Sequence, residues 1–138
     1  MSDSDCVFCK MVAGEIPVTR IYEDDNVLAF LDIAPISDGH TLVIPKIHCE
    51  TIHQTDPEVL ARLAERLPNL AAAVMQAVEA DGYNVLCNAG KAAGQVVQHV
   101  HFHIIPRKTN DGVFDRWPSY EYPQGKAAQL AQKIRENL

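Results

Sequence analysis

The chain has 138 residues, 47% of them hydrophobic and 22% charged, with a formal net charge of −6. That length points to one domain with room for a real core, residues 1–138, and leaves too little chain for a barrel or a two-domain enzyme. No apolar run approaches a membrane span, and the acidic balance argues against a nucleic-acid polymer as partner, because a backbone binder needs a basic face. A small anionic ligand remains compatible, since a few backbone N–H groups in a pocket can hold one whatever the global charge.

In chain order, Met1-Ser2-Asp3-Ser4-Asp5 is polar and acidic, unlike a signal peptide, so residues 1–5 are expected to be flexible and the cytoplasm is the expected location. With no export signal, Cys6, Cys9, Cys49 and Cys87 read as thiols or metal ligands rather than a disulfide framework. Asp5 can cap a short helix running to Val12, with Val7, Phe8 and Met11 apolar and Gly14 ending it. Thr19 to Glu23 and Val27 to Asp32 flank the turn formers Asp24-Asp25-Asn26, which reads as a hairpin. His40-Thr41-Leu42-Val43-Ile44-Pro45 is a third strand halted by proline, and His48 lies just beyond it.

Asp56-Pro57-Glu58 opens a helix with an acidic cap and a proline in the first turn. Leu60, Leu63, Ala64 and Leu67 recur at helical spacing until Pro68 forces a break; a second segment carries Leu70, Ala71, Val74, Met75 and Val78 as far as Asp81-Gly82. Tyr83 to Asn88 is a fourth strand, followed by the glycine-bearing loop Ala89 to Gln95. Then comes His99-Val100-His101-Phe102-His103-Ile104-Ile105-Pro106, where strict alternation predicts a fifth strand with all three imidazoles on one face. Residues 108–138 read as an irregular tail rich in proline and aromatics, including Trp117, then a helix from Gln124 with Ala128, Ala131, Ile134 and Leu138 on one side. Short strands, then helices, then closing strands imply an α+β fold with a mainly antiparallel five-stranded sheet and helices packed on it.

Two chemistries compete for the three histidines: ligation of a catalytic metal, or an imidazole nucleophile. The loop with Asn88, Gly90, Gly94 and Gln95 favours the second, because amide donors and close backbone approach beside the row suit a phosphate. A neutral imidazole can attack phosphorus without a separate base if its other nitrogen is held as a donor. Separately, Cys6-Val7-Phe8-Cys9 supplies half of a tetrahedral zinc site, for which His48 and His99 are candidate partners; the alternative is two free thiols on a short helix.

The run His99 to Ile105, with Asn88-Ala89-Gly90, Ala93-Gly94-Gln95, Ala29 to Ile33 and Gly39 to Lys46, resembles the histidine triad (HIT) hydrolases, of the small bacterial type related to nucleoside phosphoramidases. The resemblance implies a HIT-like fold and a purine nucleotide substrate, with no organic cofactor. By it His101 is the nucleophile, forming a nucleotidyl-histidine intermediate, and His103 contacts the phosphate and leaving group. The His99 carbonyl accepts from His101, and His40 supports the row. Asn88 and Gln95 hold the phosphate, Asp32 holds the ribose, and Phe8, Phe30, Leu31 and Ile33 line the base pocket. It also implies a structural zinc on Cys6, Cys9, His48 and His99, and a homodimer to which Trp117 contributes. Relatives with a serine or threonine after the glycine-glutamine pair use its hydroxyl near the leaving group; here that position is Val96. Dinucleoside polyphosphate hydrolysis and a non-catalytic nucleotide-binding module are the alternatives.

Overall fold

The computed structural model describes residues 3–114 and 118–138, so Trp117 lies outside the described residues. Five strands form one antiparallel sheet: β1 (Arg20–Glu23), β2 (Val27–Leu31), β3 (Thr41–Pro45), β4 (Gly82–Leu86) and β5 (Phe102–Arg107), in the order β1-β2-β3-β5-β4. The helices are α1 (Val7–Val12), α2 (Pro57–Ala64), α3 (Leu67–Val78) and α4 (Lys126–Glu136). None of the described helices is long and apolar enough to cross a membrane.

The predicted hairpin forms because Asp24 Oδ1 accepts from the amides of both Asn26 and Val27, closing the turn. Tyr22 Oη and Arg66 Nε donate to Asp24 Oδ2, each at 2.7 Å, which ties the hairpin tip to the α2–α3 junction. Asp56 caps α2 through the Glu58 amide, and Pro68 falls in the first turn of α3, where a missing N–H costs nothing. The first helix differs from expectation. Its cap is Cys6, not Asp5: the thiol sulphur accepts from the Cys9 amide, a bond that the Cys-x-x-Cys spacing makes possible.

Both faces of the sheet are covered. Val27, Ala29, Val43 and Ile104 point towards Leu63, Leu70, Ala71 and Val74 of α2 and α3. Leu28, Phe30, Leu42 and Ile44 point the other way, against Phe8, Cys6 and Cys9. Two-sided burial explains why β2 and β3 are continuous apolar runs while the histidine run alternates. The histidine strand starts later than expected, at Phe102, because residues 99–101 lie beyond the stretch paired with β3; there the Val100 amide bonds the Cys49 carbonyl instead. The side-to-side alternation nevertheless persists, with His103 on the α1 face and Ile104 packed on the helix face. α4 buries none of its residues.

Gly39 sets the entry into β3 and so the position of His40. Its φ is +86°, and a Cβ there would meet Val78 Cγ1 at 2.9 Å and Pro106 Cγ at 3.3 Å. Gly39→Ala is therefore expected to lower the unfolding free energy in urea by about 1–3 kcal/mol, from backbone strain and overpacking together.

Candidate active site

His101 lies on the α1 face of the sheet and is 6% exposed. Its Nδ1 is 2.7 Å from the His99 carbonyl, and since a carbonyl only accepts, Nδ1 carries the proton and Nε2 keeps its lone pair. The neighbouring ring is fixed by a longer chain of reasoning. The Ile36 amide donates to His40 Nδ1 at 3.1 Å, so a neutral His40 has its proton on Nε2, which is 2.8 Å from His103 Nδ1. His103 then accepts at Nδ1 and carries its own proton on Nε2. That atom is buried and has no hydrogen-bond partner among the described residues. The result is a pair of rings with centroids 5.0 Å apart, one presenting a lone pair and the other an unused donor.

Neutrality, which this reasoning needs, follows from burial. Removal from water pushes the pKa of His101 and of His40 below the ordinary histidine value, Asp32 partly opposing this in both. Burial pushes His103 further, to about 4, with His101 and His40 adding to the effect. Asp32 Oδ2 is 3.7 Å from His40 Nε2, and its Oδ1 accepts from the Ala34 amide. Asp32, His40 and His103 are close enough to suggest a metal site. However, the 2.8 Å between the two nitrogens is a hydrogen bond, shorter than the roughly 3.3 Å edge of a tetrahedral zinc site with two nitrogen ligands.

Both rings face a cavity of about 380 Å³ whose walls include Phe8, Phe30, Leu31, Asp32 and Ile33, the residues expected to bind base and ribose. Sequence reasoning did not assign Val7, Met11, Pro17, Val18, Leu42 and Val97 to it, although they line it too. Only the helical spacing of Val7 and Met11 on α1 hinted at a shared wall. Ile33 is 91% exposed and Val96 87% exposed, so both stand at the mouth. Among the described residues no lysine or arginine lines the cavity.

Two loop amides part company. Asn88 has its side-chain nitrogen 3.4 Å from where a Gly94 Cβ would sit, so it packs against Gly94, which lines the cavity. Gln95 does not offer the side chain expected to hold phosphate. It is buried, its Oε1 accepts from the Gly90 amide, and its Nε2 donates to the Glu50 and Val97 carbonyls, which uses both of its hydrogens. Gln95 therefore shapes the loop instead of meeting a ligand.

His99 turns away from the cavity. It is fully buried, Nε2 donates to the Pro45 carbonyl at 2.9 Å, and Nδ1 faces Cys6 Sγ at 3.4 Å and Cys9 Sγ at 3.6 Å. His48 Nδ1 lies 3.4 Å from Cys9 Sγ. Cys6, Cys9, His48 and His99 thus bring four donor atoms within 4.8 Å of one another, and together they fit a metal ion. Sulphur-to-nitrogen edges of a tetrahedral zinc site come to roughly 3.6 Å, close to the spacings here. The Pro45 carbonyl supplies the outer hydrogen bond that orients a ligating imidazole. The other histidine, His53, is exposed, and Cys49 and Cys87 take no part in the cluster.

An antiparallel α+β sheet carrying a row of neutral imidazoles on the floor of an apolar cavity, with a separate cysteine-histidine cluster at the end of the row, defines a histidine-triad class of protein. The HIT domain profile matches residues 13–110, and the chain belongs to that family. It is 48% identical to an adenylylsulfatase of Arabidopsis thaliana, over 98% of this chain and 70% of that one. It is 43% identical to an adenosine 5′-monophosphoramidase of Schizosaccharomyces pombe, over 96% of this chain and 98% of that one. Among solved structures, a Streptococcus mutans protein superposes with a TM-score of 0.94 at 43% identity, covering 99% of this chain and 87% of that one. A zinc-bound histidine triad family protein from Mycobacterium smegmatis gives a TM-score of 0.75 at 40% identity, covering 96% and 97%.

A depressed His103 pKa carries a linkage consequence. The unfolded chain protonates this group near pH 6.5 and the folded one only near 4, so its contribution to stability is complete above 6.5 and is lost as pH falls towards 4. In metal-free protein, urea unfolding followed from pH 7.5 to 4 is expected to show falling stability, with a shallower slope in His103→Asn.

Proposed function

We propose that this protein hydrolyses purine nucleoside 5′-phosphoramidates by double displacement at the α-phosphorus. The observation that carries the reading is the pairing of a lone pair on His101 Nε2 with the buried, unpartnered Nε2–H of His103 at the cavity floor. In the first step His101 Nε2 bonds to phosphorus, the P–N bond breaks, and the departing nitrogen, hydrogen-bonded by His103 Nε2–H, takes up a proton from solvent and leaves as an amine. In the second, a water oxygen attacks phosphorus, the bond to His101 breaks, and the water's proton passes to solvent, releasing the nucleoside monophosphate. In this reading Asn88 donates to the phosphate, Asp32 accepts from ribose hydroxyls, and Phe8, Phe30, Leu31 and Ile33 enclose the base; Asp32 and those four line the cavity.

The names of the two curated relatives support this reading: each describes an adenylyl group transferred to water, from an amine in one case and from sulphate in the other. Dinucleoside polyphosphates are less well matched, because no cationic side chain among the described residues lines the cavity to offset their additional charge. With valine at position 96, no hydroxyl stands there to assist the leaving group, so that task falls on His103.

The four-donor cluster is proposed to hold zinc, in keeping with the zinc-bound relative. Four protein ligands make a closed site whose bound ion supplies a structural cross-link. Cys6 and Cys9 would hold it from α1, and His48 and His99 from the body of the protein. Unpaired, metal-poised thiols suit a reducing compartment, which supports a cytoplasmic location. A homodimer is proposed from surfaces that the single chain leaves open. Edge strand β4 exposes Tyr83 and Val85, and α4 carries Ala128, Ala131 and Ile134 with no buried residue.

Turnover of a fluorogenic adenosine 5′-phosphoramidate tests the activity. His101→Ala is expected to lower kcat by about 1,000-fold or more while leaving nucleotide affinity within a few fold. Binding without product in the unaltered protein would instead identify a nucleotide sensor. For the metal, elemental analysis is expected to find about one zinc per chain. Its removal by a chelator should lower Tm by about 5 °C or more.

A further inference from the structure

We infer that Phe8 is a positioning residue through which metal occupancy sets how tightly the cavity holds a nucleotide, so that metal and nucleotide bind cooperatively; this rests on the nucleotide reading above. The first observation is how α1 is attached. It is six residues long, too short to be stable alone, and residues 3–18 make no backbone hydrogen bond to the rest of the described chain. What holds it is burial of Cys6, Phe8 and Cys9 together with the four-donor cluster, in which two donors belong to α1 and two to the body. A bound ion thus joins α1 directly to residues 48 and 99.

The second observation is what lies between the two thiols. Phe8 is 5% exposed, and its ring stands edge-on to His101 (centroids 5.1 Å apart, planes at 83°), to His99 (5.8 Å, 76°) and to Phe30 (5.7 Å, 68°). It therefore touches a metal ligand, the nucleophile and a cavity wall at once. Val7 and Met11, one turn apart on the same helix, complete that wall. Losing the ion frees the wall and the ring that steadies His101. Conversely, a ligand that orders the wall orders two of the four donors, and linkage requires the two effects to be equal in size.

The test measures zinc affinity of the intact protein by competition with a chromophoric chelator, with and without saturating adenosine 5′-monophosphate. Adenosine forms a second arm, since it has no phosphate to ligate zinc directly. The nucleotide is expected to lower the zinc dissociation constant about ten-fold, adenosine to act in the same direction, and Phe8→Ala, which keeps all four donors, to lose the effect. If circular dichroism shows Phe8→Ala unfolded, Phe8→Leu takes its place and is expected to lose most of the effect. Unchanged zinc affinity despite bound nucleotide would overturn the coupling, and an undiminished effect in the folded Phe8 variant would overturn the route through Phe8. Failure of zinc-loaded protein to bind the nucleotide at all would overturn the nucleotide reading, and this inference with it.

Discussion

Three backbone groups decide where the protons sit in this site. The Ile36 amide, the His99 carbonyl and the Pro45 carbonyl each hold one ring nitrogen of His40, His101 and His99 respectively. A neutral imidazole has one donor and one acceptor, so fixing one nitrogen fixes the other. The choice then passes along the row, and His103 takes its tautomer from His40 rather than from any backbone atom. Burial is what makes this possible, because in water the rings would exchange protons near neutral pH and no single arrangement would persist.

The sheet separates packing from chemistry. Its helix face is apolar throughout the core cluster, with Leu63, Leu70, Ala71 and Val74 set against Val27, Ala29, Val43 and Ile104. The opposite face accepts polar groups only where each is paired. His99, His101 and His40 all have partners, and the Gln95 amide spends its donors on loop carbonyls. Among the described residues one buried side-chain polar atom is left over, His103 Nε2, and it lies in a ring that lines the cavity. An orphaned donor of this kind costs about 1–3 kcal/mol of stability, which a substrate oxygen or nitrogen recovers on binding.

The cysteine-histidine cluster and the cavity share structural members. His99 contributes its side chain to the cluster and its carbonyl to His101, while α1 contributes thiols to one and wall residues to the other. The cluster stands at the buried end of the row, and none of its four residues lines the cavity.

Much of this was legible in the residues. The Asp24 turn, the Asp56-Pro57 helix start and the Pro68 break are local signals that formed where local preference predicts, and the side-to-side alternation of the histidine run holds although its paired strand begins only at Phe102. The pairing of Cys6 and Cys9 with His48 and His99 followed from ligand chemistry and family resemblance. The sequence did not reveal that Gln95 would turn inward, that a thiol would cap α1, or that Met11, Val18, Leu42 and Val97 would share one cavity. Side-chain type and spacing therefore settled the strands, the helices and which groups carry chemistry. Tertiary structure alone settled which nitrogen holds each proton and which donors remain free, because those depend on backbone atoms brought together from distant parts of the chain, whose positions no local residue pattern encodes.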